Sequence, residues 1–193
     1  MGSGVSGLYS GTYGAVAAGG AGGSGQKDKG SGSSSSERKS QPYASSYGVT
    51  DEMLEYDKDR GVFSDEKGYS LNPTAVDAVN SVRDGVLVGH DGKPMDGSYT
   101  YAVKENGDLV IGKRNGNGKE GKATPHPTLV GGKDPKVRIA GIVTMSKGKI
   151  VKYDNESGHF KPNNLSMPAA DEAFLKLPSS AFHRNFNKNM GRR

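Results

Sequence analysis

The apolar positions of this chain change period twice: they are spaced as on helices up to about residue 85, alternate as on strands up to about residue 155, and then turn helical again. In "VTDEMLEYDKDRG" (49–61) Thr50 stands where its hydroxyl would cap a short helix. Asp51 and Glu52 sit in the first turn, favourable at the positive end of the helix dipole. "LNPTAVDAVNSVRDG" (71–85) predicts a second helix, with Asn72 as cap, Pro73 at the first position, Val76, Val79 and Val82 on one face, and Gly85 at the end. Two hairpins follow. In "SYTYAVKENGDLVIGKR" (98–114) Asn106-Gly107 supplies the positive φ angles of a tight turn. In "KVRIAGIVTMSKGKIVKYD" (136–154) Val137, Ile139, Gly141, Val143 and Met145 fall on one face, and Lys147-Gly148 turns the chain into Lys149 to Tyr153. The stretch between them (115–135), rich in glycine and proline, reads as loop. Ser166 and Pro168 announce a closing helix carrying Ala173, Phe174 and Leu177, which Pro178 stops, and Phe182 and Phe186 pin the start of the tail. The pattern predicts an α+β domain: a small antiparallel sheet of four to six strands with an N-terminal helix or helices and a C-terminal helix.

Composition divides the chain. Thirty glycines and 32% hydrophobic residues in 193 are too lean for a core that uses all of it. The Gly/Ser-rich stretch 1–47 cannot bury enough apolar area to offset the entropy of ordering it, and reads as a flexible tether. The compact domain then spans 48–186, and 187–193 is a basic tail. Such a tether also suggests a piece of a longer delivery protein. Its opening, Met1-Gly2-Ser3-Gly4-Val5-Ser6, fits the N-myristoylation pattern at Gly2, a weak signal in a tract so rich in Gly and Ser. There is no cysteine, hence no disulfide framework or thiolate metal site. No apolar run is long enough for a transmembrane segment, and no secretory signal is visible. The net charge of +5 hides an asymmetry: residues 1–109 carry 10 Lys/Arg against 15 Asp/Glu, and residues 110–193 carry 16 against 6. That basic half can attract a phosphate backbone or an acidic protein, or be only a solvated lysine-rich surface.

The candidate chemistry rests on histidines. His90, beside the Asp91-Gly92 turn, and His183, in the basic tail, read as incidental. His126 lies between Pro125 and Pro127, which restrict the backbone that presents its ring. His159 follows the strand 149–153 and a turn, in "ESGHFKP" (156–162), where Phe160 packs inward. A fixed imidazole suits general acid or base work, and equally a turn held by a bond to a nearby carbonyl. No Gly-Lys-Ser/Thr phosphate loop, nucleophile elbow, spaced metal-ligand set or cofactor motif is present, so no metal and no cofactor are expected.

The block from about Tyr99 to Phe186 resembles a domain found at the C-termini of bacterial polymorphic toxins and effectors, and also in plant calmodulin-binding IQ-motif proteins. The marks are "YAVKENGDLVIGKR", "HPTLVGG" (126–132), "AG" (140–141), "GKI" (148–150) and "SGHFKP" (157–162). Pro125 replaces the first of the family's paired histidines, and Ile142 stands where the family has an acidic or basic residue; His126 and His159 both match. The resemblance implies a mobile tether, a compact cargo delivered by a bacterial system to act in the target-cell cytoplasm, and a cognate immunity protein. Three activities stay open. One is a metal-independent ribonuclease in which His126 and His159 act as base and acid while Arg138, Lys149 or Lys152 stabilises the phosphorane; "KIVKYDNESGHF" is similar to the last strand of barnase-like ribonucleases. Another is an ADP-ribosyltransferase using Tyr99, Tyr101, Tyr153 and Glu156, though Glu-x-Glu and Ser-Thr-Ser elements are missing. The last is a non-catalytic binding module whose histidines are structural.

Overall fold

The computed structural model describes residues 39–116 and 123–186 and has the α+β arrangement expected from the pattern. In chain order the elements are β1 (Tyr47–Gly48), α1 (Asp51–Asp59), β2 (Phe63–Ser64), β3 (Gly68–Tyr69), β4 (Val76–Asp77), β5 (Val82–Arg83) and β6 (Val86–Leu87). They continue with β7 (Gly97–Lys104), β8 (Leu109–Gly112), β9 (Lys136–Ser146), β10 (Lys149–Tyr153) and α2 (Met167–Phe174). A six-stranded antiparallel sheet runs in the order β10-β9-β7-β8-β4, with β1 also paired to β9; β2–β3 and β5–β6 are separate small ribbons.

The second hairpin turns as its residues predict: Lys147 and Gly148 both take positive φ, 49° and 81°. The first does not. Among its turn residues only Gly107 has positive φ, at 93°, while the Asn106 side chain accepts the Asp108 amide at 2.9 Å. The Gly107 amide bonds the Lys104 carbonyl and the Lys104 amide bonds the Asp108 carbonyl, so this is a longer loop with a glycine bulge.

The helix expected over 71–85 does not form. Asn72 Oδ1 accepts from the amide and the hydroxyl of Thr74, closing a side-chain turn in place of a helix cap. Val76 then pairs with Ile111 and the Ala78 amide bonds the Leu109 carbonyl, which draws the segment onto the sheet edge. Asp84-Gly85 is a hairpin turn between β5 and β6, with φ of 51° and 82°. Valines lose side-chain freedom in a helix and suit strands, so the tertiary partner prevails over a helical spacing. Thr50 does occupy the N-cap position of α1, but its buried hydroxyl makes no hydrogen bond, while its amide donates to the His159 carbonyl.

The sheet is covered on both faces. On one, α2 and the segment after it bring Met167, Ala170, Phe174, Leu177 and Ala181 against Tyr101, Ile139, Val143 and Ile150. Here Tyr153 stacks on Phe174 with ring centroids 4.0 Å apart, and Phe182 and Phe186 pack against the same cluster. On the other face, the single-turn helix His126–Leu129 and the turn around Phe160 pack on Ala102, Val110 and Ala140, joined by Tyr47. A register shift between Val137 and Ile139 moves Val137 to this second face, away from Ile139, Val143 and Met145 with which simple alternation grouped it.

The first 38 residues, Gly2 and the proposed lipid site among them, and the tail 187–193 lie outside the described residues. The tether as drawn at 1–47 extends too far. Tyr47 is buried and its hydroxyl bonds Ser166 Oγ at 2.7 Å, and the Gln41 side chain donates to the carbonyls of Gly48 and Phe160.

Candidate functional site

The two singled-out imidazoles come together, on the face of the sheet opposite α2, in its interior. Pro125 leads into a 3-10 turn that directs His126 inward, where its Nε2–H donates to the Gly141 carbonyl at 2.8 Å. His126 is 7% exposed. Burial pushes its pKa down to about 3, aided by the nearby His159 and Arg114 and opposed by the Gly141 bond. The ring is therefore neutral across the physiological range.

His159 sits in a turn closed by the Lys161 amide on the Ser157 carbonyl at 2.7 Å, with Lys161 at a positive φ of 42°. Only 1% of the ring is exposed. Its Nε2–H donates to Asp57 Oδ2 at 2.9 Å, and the same oxygen accepts the Tyr69 hydroxyl at 2.6 Å. Asp57 is fully buried on α1, four residues from buried Met53 on the same helix face. Tyr69 is held in turn by Gly132: the two residues exchange both backbone hydrogen bonds, at 2.8 and 2.9 Å. Neither Asp57 nor Tyr69 stood out in the sequence. An acid at an apolar spacing on an amphipathic helix is the one signal that pointed to Asp57.

These contacts account for the motif strings. The Gly131-Gly132 pair, at φ of 79° and 86°, lets the chain lie against Tyr69, and a Cβ on Gly68 would meet the Gly132 carbonyl at 2.3 Å. Gly141 passes so close to the next segment that a Cβ would lie 2.0 Å from the Asp154 carbonyl oxygen. Gly148 turns the hairpin against Val86, whose Cβ would be 2.7 Å from an added Cβ. Each of these glycines permits a close approach between segments.

The predicted cations do not join the histidines. Arg138 pairs with Glu172 of α2 at 3.4 Å, and the Lys149 ammonium donates to the Ser180 carbonyl at 2.7 Å; both partners belong to the α2 side. Lys152 is exposed on β10. The basic group beside His126 is Arg114, which residue type and spacing did not single out. The tyrosines of the transferase reading are likewise engaged: Tyr101 donates to the Asp154 carbonyl, Tyr153 to Asp171 at 2.6 Å, and the Tyr99 hydroxyl accepts the Asp96 amide. Glu156 is exposed. Asp154 accepts the amides of Ile142 and Glu156, yet burial still pushes its pKa up to about 6. Among the described residues no group of three or more His, Asp or Glu is placed to hold a metal ion. No helix among them is long and apolar enough to cross a membrane.

No family profile, no curated protein and no solved structure matches this chain.

Proposed function

We propose that the domain is a toxin- or effector-type module that acts by binding an acidic protein partner, with the His126 and His159 imidazoles serving the fold. The observation that carries this reading is that the Nε2 atom of each ring is committed to a buried hydrogen bond, to Gly141 and to Asp57. A general acid or base must reach the reacting atom, and rings 7% and 1% exposed offer a substrate no such approach. A protein partner is favoured over a nucleic acid by the surface. Among the described residues cations are interleaved with acids, as in exposed Lys136 with Asp134 and half-buried Lys161 with Glu52, and do not form an unbroken phosphate track. Among the described aromatics only Tyr43 is exposed, so a stacking platform for bases is missing there, whereas Leu71, Leu165 and Leu175 offer apolar contacts at 66%, 70% and 64% exposure. The resemblance to polymorphic toxins makes a cognate immunity protein the natural partner, with Lys133, Lys147 and Lys152 among the exposed cations that would steer it.

The test is to incubate the full chain with RNA in EDTA, and separately with NAD. Both substrates are expected to survive. RNA cleavage that disappears in a folded His126→Gln or His159→Gln variant would overturn the reading in favour of the ribonuclease. Binding to the protein encoded beside it should weaken about tenfold when Lys133, Lys147 and Lys152 are changed to Glu together.

A further inference from the structure

Away from the histidine pair, the tip of one small loop forms a hollow of about 170 Å³ whose wall includes Thr74, His90, Lys93, Met95, Tyr99 and Lys113. It is built on held backbone. Buried Asn72 donates to the Lys113 carbonyl at 2.8 Å, the Thr74 hydroxyl accepts the Lys113 amide at 2.8 Å, and the Asn72 carboxamide oxygen holds Thr74, so Lys113 starts from a locked main chain. Opposite it, the Gly89–Lys93 tip is closed by the Gly89 amide on the Lys93 carbonyl and the Gly92 amide on the Gly89 carbonyl. His90 Nε2–H ties that tip to the Ala75 carbonyl at 2.8 Å, which fixes the ring at the rim and the spacing between the two lysine backbones. Buried Met95 and Tyr99 form an apolar floor. Asp91 is the one acid in the wall, and its Oδ1 is already occupied by the Lys93 amide. A shallower groove of about 490 Å³ continues from Gly89 and His90 past Asp77 to Arg83, and Asp77 Oδ1 is likewise occupied by the Val79 amide.

We propose that this hollow is a phosphate-group site: Lys93 and Lys113 hold the phosphoryl group of a small phosphomonoester whose organic part lies along the groove toward Arg83, while His90 anchors the rim through its bond to the Ala75 carbonyl. A tetrahedral dianion offers several acceptor oxygens, so donors arriving from opposite walls can be satisfied together, which a planar carboxylate does less well. The hollow alone is smaller than a pocket for a whole metabolite, and it takes the charged end. Neither the hollow nor the groove includes Lys133, Lys147 or Lys152, so the two proposals are tested on different side chains.

The experiment is an amide NMR titration of the full chain with inorganic phosphate, adenosine 5′-monophosphate and adenosine, each to about 10 mM, well above a millimolar dissociation constant. Phosphate and the monophosphate should shift the amides of Gly89–Lys93 and Lys113 saturably, the monophosphate at least as tightly, and adenosine should not. The Lys93→Gln/Lys113→Gln double variant, which alters only exposed side chains, should lose roughly tenfold or more in affinity while melting at the same temperature. Absence of a saturable shift with both phosphate probes, or equal binding by the double variant, overturns the proposal.

Discussion

At the residue scale, the pair His159–Asp57 is a polar contact sealed from water on the second face of the sheet, with both partners inside and Tyr69 sharing the acceptor. Removing one member strands the others away from water, a loss of about 3 kcal/mol or more. Urea melts of His159→Ala and Asp57→Ala should each show a loss of that order, and the double variant should lose clearly less than the two together, as expected for side chains in contact. Two further groups set the pH dependence, with opposite signs. His126 has a folded pKa of about 3, below its ordinary 6.5. Its neutral form favours the fold, so this contribution is complete above 6.5 and is lost as the pH falls toward 3. Asp154 has a folded pKa of about 6, above the ordinary 3.8, so its contribution is complete below 3.8 and is lost as the pH rises through 6. Asp154→Asn retains an oxygen for the Ile142 and Glu156 amides and removes the buried charge. Thermal melts should find it more stable than the native chain by about 1–3 kcal/mol at pH 7.5 and not at pH 4. None of this was legible from residue types. A proline-flanked histidine reads as presented; it takes the Gly141 carbonyl to show that it is presented inward.

At the element scale, the turn of hairpin β9–β10 was legible to the residue because Lys147-Gly148 carries its own backbone requirement. The same logic was available at Asp84-Gly85, an equally strong turn dipeptide, but the valine spacing upstream outweighed it and led to a helix that the chain does not form. Periodicity counts positions, whereas strand or helix is decided for so short a segment by which backbone groups find partners, here those of Leu109 to Ile111. Gly141 is an element-scale constraint of another kind, since its missing side chain is where β9 lies against the exit of β10. Gly141→Ala should fail to give cooperative unfolding or should lower the melting temperature by more than about 10 °C, because backbone on both sides must part. Gly61→Ala, where an added Cβ meets nothing within 4 Å but φ is 71°, should cost only about 1 kcal/mol.

At the scale of the whole molecule, the ordered domain begins earlier than composition implied. A chain starting at Gly48 loses the buried Tyr47 ring and the Gln41 bonds, and should be less stable than one starting at Lys39 by about 3 kcal/mol or more in a thermal melt. Sequence by itself determined the α+β class, the order of the two main hairpins, the closing helix and the charge asymmetry, since each of these depends on local spacing, turn chemistry or composition. Tertiary structure alone decided that His126 and His159 share one interior while Arg138 bonds α2 and Lys149 the segment after it, that Asp57 and Tyr69 complete the cluster, and that Tyr47 belongs to the core. Those facts depend on which segments, a hundred or more residues apart as in His159 and Asp57, are brought into contact by a two-faced sheet, and no local pattern encodes the face on which a distant loop will land.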